Sequence, residues 1–135
     1  KAGKPLIGFC VLGSNFFRRI DLTGESLIGV VIVGTGLPQI CNEREVIREY
    51  FDRRQKKGYD YAYRYPGMNK VLQAAGRVIR TAQDTGTILL MDERFLEREN
   101  QKLFPEEWDS YYGVNRQNYG KVLKDFWEER RRRES

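Results

Sequence analysis

An α/β domain built on a mainly parallel sheet is the fold class that this sequence predicts, and three observations predict it. Leu6–Leu12 (LIGFCVL), Leu27–Val33 (LIGVVIV) and Thr87–Met91 (TILLM) are short, β-branched and apolar throughout. Continuous apolarity, without alternation, is the pattern of strands buried on both faces. Helical patterns separate the second run from the third, and strand–helix–strand order implies parallel pairing. The first strand closes at Gly13 and the second at Gly34. Asn42, with Glu45 three residues later, resembles a capping box that opens a helix. That helix sets Val46, Ile47, Tyr50 and Phe51 on one side, turns Arg48, Asp52 and Arg53 away, and is broken by Gly58. A second helix is expected to start soon after Pro66 and to run to about Arg80. Asp92 ends the third strand. A last helix, from Asn118 to about Arg130, stacks Tyr119, Val122, Leu123, Phe126 and Trp127 on one stripe. Three strands are few for such a sheet. Further strands are therefore expected in a longer parent protein, or covered edges through association. The short polar lead into a core strand favours a fragment.

Composition narrows the function classes. The chain has 135 residues, 40% hydrophobic and 32% charged, which fits one globular core and not a disordered chain. Its apolar runs are far shorter than the roughly 20 residues that a bilayer span takes, and no secretory-signal pattern is present. The absence of histidine excludes Ser-His-Asp, Cys-His and His-metal chemistry within the chain, and two cysteines cannot by themselves close a tetrahedral zinc site. With 24 Lys+Arg against 19 Asp+Glu, the net charge of +5 suits an anionic partner without identifying it. A reduced, cytoplasmic protein is the plainest reading.

The stretch Met68–Arg80 is the most informative. At 100° per residue, Met68, Val71, Leu72, Ala75, Val78 and Ile79 form one apolar face, and Gln73, Gly76, Arg77 and Arg80 gather opposite. Periodicity alone favours an ordinary solvated face. Gly76, which costs about 1 kcal/mol against alanine in a helix, makes sense where a backbone, a phosphate or another chain must approach closely.

The order Gln73-x-x-Gly76-Arg77-x-x-Arg80 resembles motif VI of superfamily 2 helicases. Around it stand Tyr65-Pro66-Gly67, Asp84-x-Gly86 and Ile88-Leu89-Leu90-Met91-Asp92-x-Arg94-Phe95. Upstream come Phe16, Ile20-Asp21-Leu22, Gly24-Glu25, Val31-Ile32-Val33-Gly34 and Leu37-Pro38. Together these resemble the C-terminal helicase domain of the XPD/DinG family of ATP-dependent DNA helicases, from the first strand to about Pro105. The resemblance implies a RecA-like fold, residues 1–135 forming a fragment of the second motor domain, with 115–135 a C-terminal helix and basic tail. It implies a bacterial, cytoplasmic DNA-repair protein whose ATP site is shared with an N-terminal RecA-like domain. ATP and Mg²⁺ would be held there by a phosphate loop and metal ligands that this chain lacks. By the same resemblance Arg80 is the arginine finger, Arg77 contacts phosphate beside it, Gln73 positions neighbouring groups or water, Gly76 gives clearance, and Asp21 links the nucleotide and DNA sites. Single-stranded DNA, bound weakly and without sequence preference, is the implied partner; no membrane is involved.

Motif V departs from the family, which usually reads Gly-Gly-x-Phe-Ser-Glu-Gly-Ile-Asp. Here Gly13-Ser14-Asn15-Phe16-Phe17-Arg18-Arg19-Ile20-Asp21 puts Phe17, Arg18 and Arg19 where the family has Ser, Glu and Gly. This charge reversal encourages a second reading, a non-catalytic basic module that binds nucleic acid or a partner; two exposed loop arginines are an equally possible reading of the sequence. Other features weigh less. Cys10 reads as a core residue of the first strand, and Cys41 as a thiol near a helix start. Tyr59, Tyr61, Tyr63 and Tyr65 could stack on bases, but packing of a loop against its own domain is the preferred reading. Arg130–Arg133 reads as a fraying, charged helix end.

Overall fold

The computed structural model describes residues 4–14 and 27–135. Motif V from Asn15 onward, including Asp21, lies outside the described residues, as do Arg18 and Arg19. The chain divides into two compact units, Lys1–Leu103 and Phe104–Ser135.

In the first unit, two parallel strands form the sheet: β1 (Gly29–Val33) pairs with β2 (Thr87–Met91), with Gly29 opposite Thr87 and Val33 opposite Met91. β-branched and aliphatic side chains fill both strands, and β2 occupies the predicted residues. Between them lie α1 (Asn42–Gln55), a π-helical turn (Asp60–Arg64) and α2 (Tyr65–Ala75). A 3₁₀ turn (Glu93–Leu96) and the short α3 (Arg98–Gln101) follow β2. The buried apolar set is Ile32 of β1, Met68, Val71, Ala74 and Ala75 of α2, and Ala62, Tyr63, Val78 and Phe95 around them. α2 packs against β1. At that junction Gly36 has φ +65°, and a Cβ on Gly67 would stand 2.7 Å from the Thr35 carbonyl oxygen. Glycine at both positions lets the loop after β1 lie directly on the start of α2.

Four expectations need correction. Leu6–Leu12 is not a strand: it is irregular, and Leu6, Ile7, Phe9 and Val11 are exposed, as is Cys10. Apolarity says that a segment favours burial but not which sheet edge it joins, and among the described residues β1 pairs only with β2. The capping box is absent, because Cys41 is the N-cap and makes no side-chain cap. Instead Glu45 accepts a 2.5 Å hydrogen bond from the Tyr63 hydroxyl. The tyrosine-rich stretch is helical, not a loop. Pro66 has no N–H to give the Ala62 carbonyl four residues back, and Arg44 Nη1 donates to that oxygen at 2.6 Å. Tyr61 stacks on Phe51 with centroids 4.0 Å apart, so these rings do pack on their own domain. Lastly, α2 ends at Ala75 and does not reach Arg80.

The second unit holds a 3₁₀ turn (Glu106–Trp108) and α4 (Tyr119–Glu134). Phe104 packs edge-on against Trp108 and Tyr111. α4 begins at the predicted place and continues past Arg130 through Arg133, whose guanidinium pairs with Glu129 one turn earlier.

Candidate functional site

The motif VI residues sit at and just beyond the C-terminal end of α2. Gln73 is exposed on its last turn. Gly76 is the C-cap, with φ −65°, and its N–H donates to Leu72 O at 2.9 Å. A tighter turn follows, as Arg77 N–H donates to Ala74 O (3.2 Å) and Val78 N–H to Ala75 O (3.0 Å). Such i→i−3 bonds satisfy carbonyls that a helix end leaves orphaned. Val78 then turns inward and is 4% exposed, while Arg77 is half-buried and Arg80 exposed. The two arginines therefore flank an anchoring valine on a turn, instead of standing one turn apart on a helix. Cationic side chains at this position also suit the negative end of the α2 dipole. A Cβ at Gly76 would meet nothing nearer than Leu72 O at 3.3 Å and Gln73 O at 3.9 Å, so its outer side is open among the described residues.

Two devices fix the turn, one seating it beside the strands and one closing the loop that follows. At Gly86, just before β2, a Cβ would overlap Val78 Cγ1 and lie 3.1 Å from Ile28 O; the absence of a side chain makes the seat for Val78. Farther along, Asp84 Oδ2 accepts the backbone N–H groups of Arg80 (2.9 Å) and Thr81 (2.8 Å), while Asp84 N–H donates to Thr81 O (3.1 Å). These backbone donors, with smaller help from the Arg80 charge, hold the Asp84 carboxyl below its ordinary value.

At the other end of β2, Asp92 and Arg94 form a two-pronged pair: Nε to Oδ1 at 2.8 Å and Nη2 to Oδ2 at 2.6 Å. Arg94 N–H also donates to Asp92 Oδ1 at 3.0 Å. The Arg94 side chain, then its backbone N–H, lowers the Asp92 carboxyl to about 2. Asn100 Nδ2 donates to Arg94 O at 2.8 Å, closing the Asp-x-Arg-Phe element onto α3. A cavity of about 60 Å³ lies beside it, lined among others by Thr35, Tyr59, Arg64, Arg94 and Asn100. Thr35 Oγ1 is buried there without a hydrogen-bond partner among the described residues. This volume suits a few waters and is far too small for a nucleotide.

The sequence set Gln73, Gly76, Arg77 and Arg80 on one helix face, but only Gln73 lies on the helix; Gly76 caps it, and the two arginines follow beyond its end. Sequence reasoning missed the parts played by Asp84 and Gly86, although their Asp-x-Gly spacing was visible, because a backbone-capping carboxylate and a side-chain seat are tertiary facts. No group of three or more His, Cys, Asp or Glu that could hold a metal occurs among the described residues, and among them no helix is long and apolar enough to cross a membrane.

Comparison with known proteins gives this geometry its context. The family described as Helicase C-terminal domain matches residues 1–111. A protein named Probable ATP-dependent helicase from Methanocaldococcus jannaschii is 29% identical over 97 residues, covering 65% of this chain and 15% of that protein. The Regulator of telomere elongation helicase 1 homolog of Caenorhabditis elegans is 30% identical over 113 residues, covering 77% of this chain and 11% of its own length. The Homo sapiens Regulator of telomere elongation helicase 1 is 28% identical over 116 residues, covering 78% and 9%. The chain thus spans less than a sixth of each of these relatives. By the match over most of its length, it belongs to the helicase C-terminal domain family, of the XPD/DinG kind.

Proposed function

We propose that this chain is the second RecA-like motor domain of an ATP-dependent DNA helicase, and that it supplies Arg77 and Arg80 to a nucleotide held mainly by an N-terminal motor domain. The observation that carries the reading is the pair of guanidiniums on a turn fastened at Val78 and Asp84, in a chain of this family. A guanidinium is planar, permanently charged and able to bind two phosphate oxygens at once. Held in place beforehand, it stabilises the charge that spreads over the transferred phosphoryl group. Arg80 serves as the finger and Arg77 as its neighbour on phosphate. Gln73, exposed one turn back, orients water or adjoining groups, and the open side of Gly76 leaves room for the approaching partner domain. ATP, when bound, supplies the phosphoryl group and Mg²⁺ the counter-charge; their remaining ligands belong to the N-terminal domain. Asp21 links this site to single-stranded DNA, which the +5 chain holds through phosphates without reading bases.

The test is ATP turnover by the complete parent protein, with and without single-stranded DNA, for wild type and Arg80→Ala. An ATP-hydrolysing wild type, only weakly stimulated by DNA because Arg18 and Arg19 stand in motif V, and a variant slower by on the order of 10³-fold are expected. A parent that binds single-stranded DNA yet hydrolyses no ATP would replace this reading with the non-catalytic basic module.

A further inference from the structure

Arg80 lies outside regular secondary structure, five residues past the end of α2. A residue so placed would have its backbone amide bound to water, and its direction loosely set. Here the amide is not left to water. Asp84 Oδ2 takes the N–H of Arg80 at 2.9 Å and that of Thr81 at 2.8 Å, two charge-assisted bonds to one oxygen. The same residue returns its own N–H to Thr81 O at 3.1 Å, so 80–84 is a closed ring of hydrogen bonds. Gln83 N–H adds a longer contact to Thr81 Oγ1 at 3.3 Å. Upstream, the seating of Val78 over Gly86 fixes the other side of Arg80. Arg80 is therefore held from both directions along the chain, and the Asp84 carboxylate is a hold on its downstream side.

We propose that Asp84 is a positioning residue for Arg80: by accepting the amides of Arg80 and Thr81 it fixes the turn that carries the guanidinium. This rests on the reading of Arg80 as the phosphate-facing arginine. A carboxylate so engaged by the backbone has no part in binding substrate, so its loss acts on turnover through Arg80 and not on nucleotide affinity.

The experiment uses the complete parent protein and measures steady-state ATP hydrolysis, with thermal unfolding beside it, for Asp84→Ala, Asp84→Asn, Arg80→Ala and the double variant Asp84→Ala/Arg80→Ala. A misplacement of about 1 Å can cost up to roughly 10²-fold, so Asp84→Ala is expected to lower kcat at least about tenfold while KM for ATP stays within about twofold. Asparagine keeps a neutral acceptor, and Asp84→Asn is expected to recover most of the loss. The double variant is expected to be no slower than Arg80→Ala alone, because two residues acting through one interaction are not additive. Asp84→Ala with unchanged kcat beside a slow Arg80→Ala would overturn the positioning role and leave the arginine reading standing. Unchanged kcat in Arg80→Ala would overturn both. Should Asp84→Ala fail to fold, Asp84→Asn decides: a well-folded asparagine variant as slow as Arg80→Ala would also overturn the proposal, since the acceptor would then be present without effect.

Discussion

Gly86→Ala tests whether the arginine-bearing turn is seated on the sheet. The new methyl would overlap Val78 Cγ1 and stand 3.1 Å from Ile28 O. Carbon atoms settle about 3.5–4.0 Å apart, so Val78 must withdraw by more than about 1 Å. Val78 cannot do this by swinging a flexible tip, because its branch begins at Cβ and the residue is only 4% exposed. Overpacking of this kind costs about 1–3 kcal/mol, which for a domain of this size lowers Tm by roughly 5–10 °C. The displacement passes directly to Arg77 and, two residues beyond the valine, to Arg80. In the parent protein, turnover should therefore fall roughly ten- to a hundredfold. Val78→Ala on the same background removes the overlapping methyls; it should restore much of the turnover but not all of the stability, since a buried valine is truncated. Thermal unfolding and ATPase assays on the two variants read both effects. A Gly86→Ala protein melting within about 1 °C of wild type at full turnover would refute the seating argument.

Two further outcomes concern the scaffold. Gly58 is buried beside α1: its N–H donates to Asp52 Oδ1 at 2.7 Å, and a Cβ would lie 2.6 Å from Asp52 Cγ and inside contact of Arg48 O. Gly58→Ala should therefore cost about 3 kcal/mol, read by urea unfolding, whereas Gly113→Ala, with nothing within 4 Å among the described residues, should stay within about 0.5 kcal/mol. The Asp92–Arg94 pair stabilises only while Asp92 is ionised. Its folded-state value of about 2 lies below the ordinary 3.8, so the stabilisation is complete above that ordinary value and is lost as pH falls toward 2. Arg94 is 43% exposed, so water screens the pair and its contribution is about 1 kcal/mol. The stability gap between wild type and Asp92→Asn should close over that acid range; a gap independent of pH would count against the pair.

Much of the first unit was legible because its signals are local. β2 occupies the predicted residues, and Ala75, Met68, Val71 and Val78 are buried as the apolar periodicity requires. The end of α2 was not legible: the apolar spacing continues through Val78, but that valine is buried by a turn against Gly86 and not by a helix. Ile79, assigned to the same face, is accordingly 44% exposed. The alternating tyrosines misled for a related reason. Gly58 and Pro66 punctuate them like a loop, yet Tyr59 with Tyr63 and Tyr61 with Tyr65 are i,i+4 pairs whose rings meet at 5.6 and 5.1 Å. Pro66 is tolerated because it begins α2 and because Arg44, 18 residues from Ala62, takes the orphaned carbonyl. For Leu6–Leu12, local apolarity carried no information about a partner edge, which is a long-range matter.

Arg80 is proposed to act on the transition state of phosphoryl transfer and not on nucleotide binding. The direct measurement compares kcat with the dissociation constant of ATP in the parent protein, for wild type, Arg80→Ala and Arg80→Lys, at saturating single-stranded DNA. Arg80→Ala is expected to lower kcat on the order of 10³-fold while the dissociation constant moves less than about tenfold, and lysine to rescue poorly because an ammonium lacks the planar fork. An unchanged kcat with weakened ATP binding would contradict it, and would make Arg80 a binding residue.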